Sequence, residues 1–320
     1  FPVRPQAMEA RAAVELWLLG HSPNPRVVVG RDGWLFFDTT FSPACPNTAE
    51  DVLAEVDGLA SSFAALNRGF TFTVAPDKRT IYGDKLPAGS AQDATCTDDQ
   101  RPVLRAGMAA RPDTMVDLWD PVIKAVDSYP EEPVYRPHDT HWNPYGAAAA
   151  IGAIVETVAP GVWAPEDISP APSREVIGGL TRLVGLTQTE AVPRLAYDRD
   201  EGASAPVTTV TSPAPRVERM VTTGGAATVP GRTLIVGDSF FGGMLEHIAP
   251  WFADVTYVPV QRIACHDVLE HLDDVDRVIL ERVERVAYLT DYEAKLAPLL
   301  VYLAGEPLPP ESDDCNEAAE

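Results

Sequence analysis

No stretch of this chain holds the roughly 18 consecutive uncharged apolar residues that a membrane-crossing helix needs, so no such helix is expected. Basic residues are scarce: 25 Lys and Arg stand against 47 Asp and Glu, a formal net charge of −22. Sequence-blind binding to nucleic acid draws most of its affinity from cations that neutralise phosphates. A nucleic-acid partner is therefore excluded, and an anionic membrane surface is disfavoured on the same ground. The four cysteines, Cys45, Cys96, Cys265 and Cys315, show no CxxC spacing, which removes zinc-ribbon and thioredoxin-like readings. An even, dispersed set favours two disulfides and an oxidising compartment. Proximity along the chain pairs Cys45 with Cys96 and Cys265 with Cys315; four reduced cysteines in a cytosolic core are the alternative. The chain also begins at Phe1 with neither Met nor an export-signal pattern, as expected of a protein whose signal or anchor has been removed.

Hydrophobic residues make up 45% of the 320, enough for a sizeable core. The 30 prolines gather in connectors, which predicts long, stiff loops. Arg26 to Phe37, RVVVGRDGWLFF, reads as two short strands about an Asp32-Gly33 turn. Thr48 is placed to cap a helix reaching Leu66, with Val52, Val56, Leu59, Phe63 and Leu66 at helical spacing. Strands follow at Phe70 to Ala75 and Met115 to Trp119, with a helix from Gln100 to Ala110 between them and a small-residue helix from Tyr145 to Val158. Thr233 to Val236 is a short apolar strand that runs into GDSFFGGMLEHI. Val255 to Val260 and Arg277 to Glu281 add two strands, and Asp291 to Leu303 a helix. Strands alternating with helices predict the α/β class with a doubly wound, mostly parallel sheet covered on both faces. Residues 163–230, rich in Pro and Thr with weak strand signals such as Val207 to Val210, read as an insertion. The expected organisation is an N-terminal segment over 1–25, a domain over 26–305 containing that insertion, and an acidic tail over 306–320.

Two segments carry chemistry. TLIVGDSFFGG, Thr233 to Gly243, delivers Ser239 from the carboxyl end of a buried strand into the start of a helix, the crevice where open α/β sheets bind ligands. The helix start would offer backbone N–H groups to an oxyanion. Gly237 would permit the tight turn, and Gly242 and Gly243 the close approach of a substrate. Asp238 and Ser239 are equally ordinary N-cap residues. The second segment, RPHDTHWNPYG from Arg136 to Gly146, crowds His138, Asp139 and His141 before a helix. A carboxylate two residues from a histidine can fix the tautomer of a general base. With His138 the pair could instead ligate a metal, or Asp139 or Asn143 could form a turn beside Pro144. Together the serine, histidine and aspartate supply a nucleophile, a base and an orienting group.

The pair DTHW then GDSF, with GRDGWLFF and APDKRTIYGDKLP upstream and VILERVER downstream, resembles the AlgJ and AlgX group of SGNH-hydrolase-like proteins, the alginate O-acetyltransferase family. The resemblance runs from roughly Val27 to Arg285. In that family Asp-x-His precedes the serine, a permuted order relative to ordinary SGNH esterases, and this sequence has that order. The resemblance implies an SGNH-hydrolase-like fold and an extracytoplasmic enzyme, periplasmic or at the cell surface. Such an enzyme moves acetyl groups onto hydroxyls of a polysaccharide acceptor through an acetyl-serine, with Ser239 as nucleophile, His141 as base and Asp139 as its orienter. It also implies a membrane-bound acyltransferase partner that supplies acetyl; no cofactor and no metal are called for on this reading.

Arg262, in VPVQRIACHD, is a candidate substrate or oxyanion contact, or else an ion-pair partner for the many acids. Trp142 and Phe240, beside the motif residues, are candidate sugar contacts or packing. Lys78 in APDK resembles a recurrent family position, and Glu281, Glu284 and Arg285 read as a structural ion-pair set. The chain shows no carbohydrate-binding module after Arg285, unlike longer members, and no clear Gly and Asn oxyanion blocks of the SGNH kind. Its charge favours a neutral glycan over a uronic-acid polymer. Two further readings stay open: a carbohydrate acetylesterase of the same mechanism, and a noncatalytic glycan-binding protein on the same fold.

Overall fold

Apolar runs that satisfy both faces of a sheet dominate the middle of the computed structural model, which describes residues 4–38, 45–87, 96–199, 207–210, 214, 216–311 and 315. The chain opens with α1 (Arg4–Ala13) and a hairpin of β1 (Val27–Val29) and β2 (Leu35–Phe37). Then come α2 (Ala49–Ala65), β3 (Gly69–Ala75), α3 (Lys78–Ile81), α4 (Cys96–Ala109), β4 (Met115–Asp117), α5 (Trp119–Ser128) and α6 (Pro144–Val158). A second stretch holds β5 (Ile168–Ile177), α7 (Gly179–Leu183), β6 (Thr189–Tyr197), β7 (Val207–Val210), β8 (Glu218–Thr222) and β9 (Val229–Gly237). The rest is α8 (Ser239–Gly242), α9 (Leu245–Ile248), β10 (Phe252–Pro259), α10 (His266–Leu269), β11 (Arg277–Val283), α11 (Glu284–Ala287) and α12 (Tyr292–Leu303).

The seven-stranded sheet has the order β4-β3-β11-β9-β10-β8-β7. Its first five strands run parallel, while β8 pairs antiparallel with both β10 and β7. This is the doubly wound, mostly parallel α/β fold that the alternation of strands and helices predicts. Along β9 and β11 successive side chains point to opposite faces, and this divides the core in two. Ile235 and Ile279 pack with Ile151 and Ile154 of α6, whereas Leu234, Val236, Val278 and Leu280 pack with Val52, Val56 and Phe63 of α2. Helix α2 starts where expected: Thr48 accepts the Asp51 N–H and the Asp51 carboxylate accepts the Thr48 N–H at 2.9 Å, a closed capping box. In the β1–β2 hairpin Asp32 and Gly33 adopt φ of 54° and 79°, the left-handed region that an Asp-Gly pair reaches readily.

The Pro- and Thr-rich stretch proves to be two structures. Strands β5 and β6 form a separate antiparallel hairpin, while β7 and β8 extend the edge of the central sheet. Edge strands are half exposed and tolerate threonine in place of an apolar run, which is why their sequence signal is weak. Strand β4 ends sooner than expected because the Asp117 carboxylate accepts the Trp119 N–H at 2.8 Å and turns the chain into α5. Of the tail expected over 306–320, residues 312–314 and 316–320 lie outside the described residues. Among the described residues no helix is long and apolar enough to cross a membrane.

Both expected disulfides are formed, Cys45–Cys96 and Cys265–Cys315, spanning sequence separations of 51 and 50. Closing a loop of that size removes unfolded-state entropy worth about 4 kcal/mol, of which about 2–4 kcal/mol is usually realised. Replacing either pair by serines is expected to lower the unfolding free energy by that realised amount in urea titrations. A loss under about 0.5 kcal/mol would show that these bridges close loops already restrained by other contacts.

Candidate active site

Strand β9 ends at Gly237 between β10 and β11, and the next residue is anchored on every side. The Asp238 N–H donates to Glu281 Oε2 at 3.0 Å, and its carboxylate accepts the Phe240 N–H at 3.0 Å and the Val283 N–H at 2.8 Å. The Tyr257 hydroxyl donates to the Asp238 carbonyl at 2.9 Å. The cap of α8 is thus Asp238, which leaves the Ser239 hydroxyl for another partner. Gly237 is required for a reason other than the turn: a Cβ there would stand 2.8 Å from Glu281 Oε2. At Gly242 a Cβ would meet the Tyr257 hydroxyl at 2.8 Å, so Gly242 serves packing, and Gly243 alone of the pair lines the cleft. Helix α8 is a single turn, so the aligned dipole expected behind Ser239 is small.

The Asp-x-His loop is pinned from two directions. Tyr135 and Trp142 form an antiparallel bridge across its base, and Asn143 caps α6 by accepting the Tyr145 and Gly146 N–H groups at 2.8 and 3.1 Å. From below, the three N–H groups of the buried Lys78 ammonium are shared among the carbonyls of Leu35, Arg136, Pro137 and Asp139 at 2.7, 2.8, 2.9 and 2.9 Å. Burial pushes this ammonium down, to about 7, against the pull of Glu190, Asp139 and Asp77. Lys78 therefore ties β2 to the loop that carries Asp139.

Asp139 Oδ1 lies 2.7 Å from His141 Nδ1, and His141 Nε2 lies 2.9 Å from Ser239 Oγ. Asp139 Oδ2 accepts the Gly179 N–H at 2.6 Å and faces Arg136 Nη1 at 2.9 Å. Burial alone would raise the Asp139 carboxyl; the hydrogen bond and charge of His141, with Arg136 and the Gly179 amide, outweigh it and hold the group well below the usual range. Carboxylate, imidazole and hydroxyl are thus in line, the geometry in which a ring nitrogen can accept a hydroxyl proton. The imidazole and the hydroxyl open on a cleft of about 140 Å³.

The other sequence candidates fall into three groups. Phe240 and Trp142 line the cleft but are almost wholly buried: Phe240 lies 4.9 Å from the His141 ring, and Trp142 Nε1 donates to the Phe240 carbonyl at 3.2 Å. Arg262 is not brought to Ser239. Its buried guanidinium needs a partner and finds it in Asp267 at 2.5 Å and in the Cys315 carbonyl at 3.0 Å, which secures the tail disulfide. His138 does not line the cleft; its ring faces Glu190 at 3.9 Å and Trp17 at 5.5 Å. Among the described residues His138, Asp139 and His141 do not converge as a metal-binding group. Glu284 accepts the Asp77 N–H at 2.9 Å and pairs with Arg101, and Arg285 donates to Asp77 at 2.8 Å, the structural ion-pair role expected of them, whereas Glu281, expected in the same set, is buried and accepts the Asp238 N–H instead.

Sequence reading passed over Arg174, Met244 and His247, which also line the cleft. His247 is buried and shares a 2.8 Å hydrogen bond with the Tyr197 hydroxyl; burial pushes it down to about 4, so it is neutral at ordinary pH. Its partner lies far away along the chain, and only the fold brings the two together.

A family model described as "SGNH hydrolase-like domain, acetyltransferase AlgX" matches residues 27–241, more than half of the chain. The chain belongs to this AlgX family. Among curated relatives, "Probable alginate O-acetylase AlgJ" of Azotobacter vinelandii is 30% identical over 166 residues, 50% of this chain and 40% of that protein. Its namesake from Pseudomonas aeruginosa is 31% identical over 148 residues, 46% of this chain and 36% of that protein. The matched stretches thus span well under half the length of these relatives. The O-acetyltransferase domain of Pseudomonas putida AlgJ superposes with a TM-score of 0.55 at 19% identity, over 86% of this chain and 99% of that one. Bacillus cereus PatB1 gives 0.56 at 17% identity, over 82% and 96%. At these identities the solved structures establish a common SGNH-hydrolase-like fold.

Two expectations follow for the AlgX-family site. Lys78→Met would take the ammonium from the buried Leu35 and Asp139 carbonyls, while those of Arg136 and Pro137 keep the Asp139 and Leu35 N–H groups, and is expected to cost roughly 3 kcal/mol in chemical denaturation; an unchanged midpoint would show that the loop holds itself. Burial, then the charge of Asp238, raises the Glu281 carboxyl well above its ordinary value. The folded chain then keeps a proton that the unfolded chain releases above about pH 4.5, so this group's contribution to stability falls as pH rises through that window. Glu281→Gln keeps the acceptor for Asp238, and melting temperatures between pH 5 and 8 are expected to fall less steeply with pH than in the parent; parallel curves would refute the buried, proton-holding carboxyl.

Proposed function

We propose that this chain is an O-acetyltransferase that moves acetyl groups onto hydroxyls of an extracytoplasmic polysaccharide through an acetyl-Ser239 intermediate. The observation that carries the reading is the 2.9 Å contact from His141 Nε2 to Ser239 Oγ, backed by Asp139 at 2.7 Å, at the carboxyl edge of the sheet. Membership of a family described as acetyltransferase, and relatives named as alginate O-acetylases, support the reaction class. Two disulfides fit an oxidising, extracytoplasmic setting.

In the first half-reaction Ser239 Oγ attacks the acetyl carbonyl of the donor while His141 Nε2 takes the hydroxyl proton. Asp139 keeps the ring oriented and stabilises the imidazolium. The Ser239 N–H, the first of its helix, has no intrahelical acceptor to reach and is the donor assigned to the developing oxyanion on this reading. Collapse expels the donor's leaving group, which takes the proton from His141. In the second half-reaction a sugar hydroxyl gives its proton to His141 and attacks the acetyl-serine, and collapse returns the proton to Ser239 Oγ. A membrane-bound acyltransferase is the partner that supplies acetyl on this reading. The His141 side chain is 30% exposed, so water can compete with the sugar, and acetylesterase activity is the second reading.

Incubation with p-nitrophenyl acetate followed by intact-mass spectrometry is expected to show one added acetyl group on the parent chain and none on Ser239→Ala. Nitrophenol release is expected to fall by at least about a thousandfold in Ser239→Ala and in Asp139→Asn. Turnover that survives Ser239→Ala would overturn the acyl-enzyme, and the absence of any adduct or turnover in the parent would favour the noncatalytic glycan-binding reading.

A further inference from the structure

The cleft at Ser239, about 140 Å³, is small for a polymer, since pockets for ligands of drug size run about 300–1,000 Å³. A larger groove of about 480 Å³ lies beside it. The two share the same walls. On α6, Pro144 and Ala147 face the cleft, and Tyr145 and Ala148 face the groove. On β6 the cleft takes Val192 and the groove Leu195, about 10 Å further along the strand. On β5 the corresponding residues are Arg174 and Pro170. Cleft and groove are thus lined by the same three elements, α6, β5 and β6.

The lining of the groove is chemically selective. Tyr129, 43% exposed, lies 4.2 Å from Tyr145 between ring centroids, and Lys124 and Ser128 stand on the same wall. A pyranose ring has an apolar C–H face and a rim of hydroxyls, and tyrosine presents the matching flat apolar face with a polar tip. Burial, then the neighbouring Glu132, raises the Tyr145 phenol, so its hydroxyl stays a proton donor. Among the described residues no Asp or Glu lines either the cleft or the groove, although 47 of the 320 residues are acidic. The path is thus spared the repulsion that the net charge would otherwise impose on a sugar acid.

We propose that the groove on Tyr129, Tyr145 and Lys124 is an acceptor subsite that holds the sugar units flanking the hydroxyl to be acetylated. The proposal rests on the reading of Ser239 as the acetyl carrier, and makes the enzyme selective for chains over short sugars. Calorimetry in the Ser239→Ala protein separates binding from chemistry. The probes are mannohexaose against mannobiose, and the mannuronate hexamer against its dimer. In at least one series the hexamer is expected to bind about tenfold more tightly than the dimer, and Tyr129→Ala or the groove-filling Ser128→Trp to abolish that advantage. Melting temperatures establish that each variant is folded. Hexamers that bind no better than dimers in both series, or an advantage that survives both variants in folded protein, would overturn the subsite. If hexamers bind through the groove but Ser239 takes up no acetyl group, the glycan site stands and the acetyl-carrier reading falls. If Ser239 acetylates but no hexamer advantage exists, the reverse holds.

Discussion

A single buried ammonium organises much of this protein. Lys78 sits where three separate pieces of chain meet, and its carbonyl partners come from β2 and from residues 136–139. Several carbonyl oxygens turned toward one another repel, and a cation among them reverses the sign of that interaction. The arrangement makes the loop's shape depend on a charge that water does not reach. Asp139 inherits its position from this cage, and His141 inherits its position from Asp139.

The opposite wall is built on acid rather than base. Glu281, Asp238 and the amide of Val283 fix the turn after β9, so the serine departs from a rigid corner. Two acidic residues, each unfavourable to bury alone, thereby become directional supports because each meets a donor or acceptor of fixed geometry. The result is a hydroxyl and an imidazole held by independent scaffolds that meet at a hydrogen-bond length.

Much of this was legible in the sequence because the relevant signals are local. Leu234 to Val236 and Val278 to Leu280 announce buried parallel strands by being apolar without interruption, and Asp139-x-His141 and Gly237-Asp238-Ser239 carry their chemistry within a few residues. Signals that depend on distant partners were not legible. Gly237 reads as a turn glycine, yet its constraint is Glu281; Arg262 reads as a binding cation, yet it serves Asp267 and Cys315. The β5–β6 hairpin escaped notice because proline and exposed polar residues mask its alternation, and helix α5 because it is short and follows a strand without a conventional cap.

The corner that presents Ser239 is completed only by residues that come later in the chain. Glu281 and Val283 lie in β11, the strand between β3 and β9. A polypeptide emerging residue by residue has its serine long before it has the strand that aims it. The serine therefore stays unaimed while the chain is being made, and reaches its place in the same event that closes the sheet.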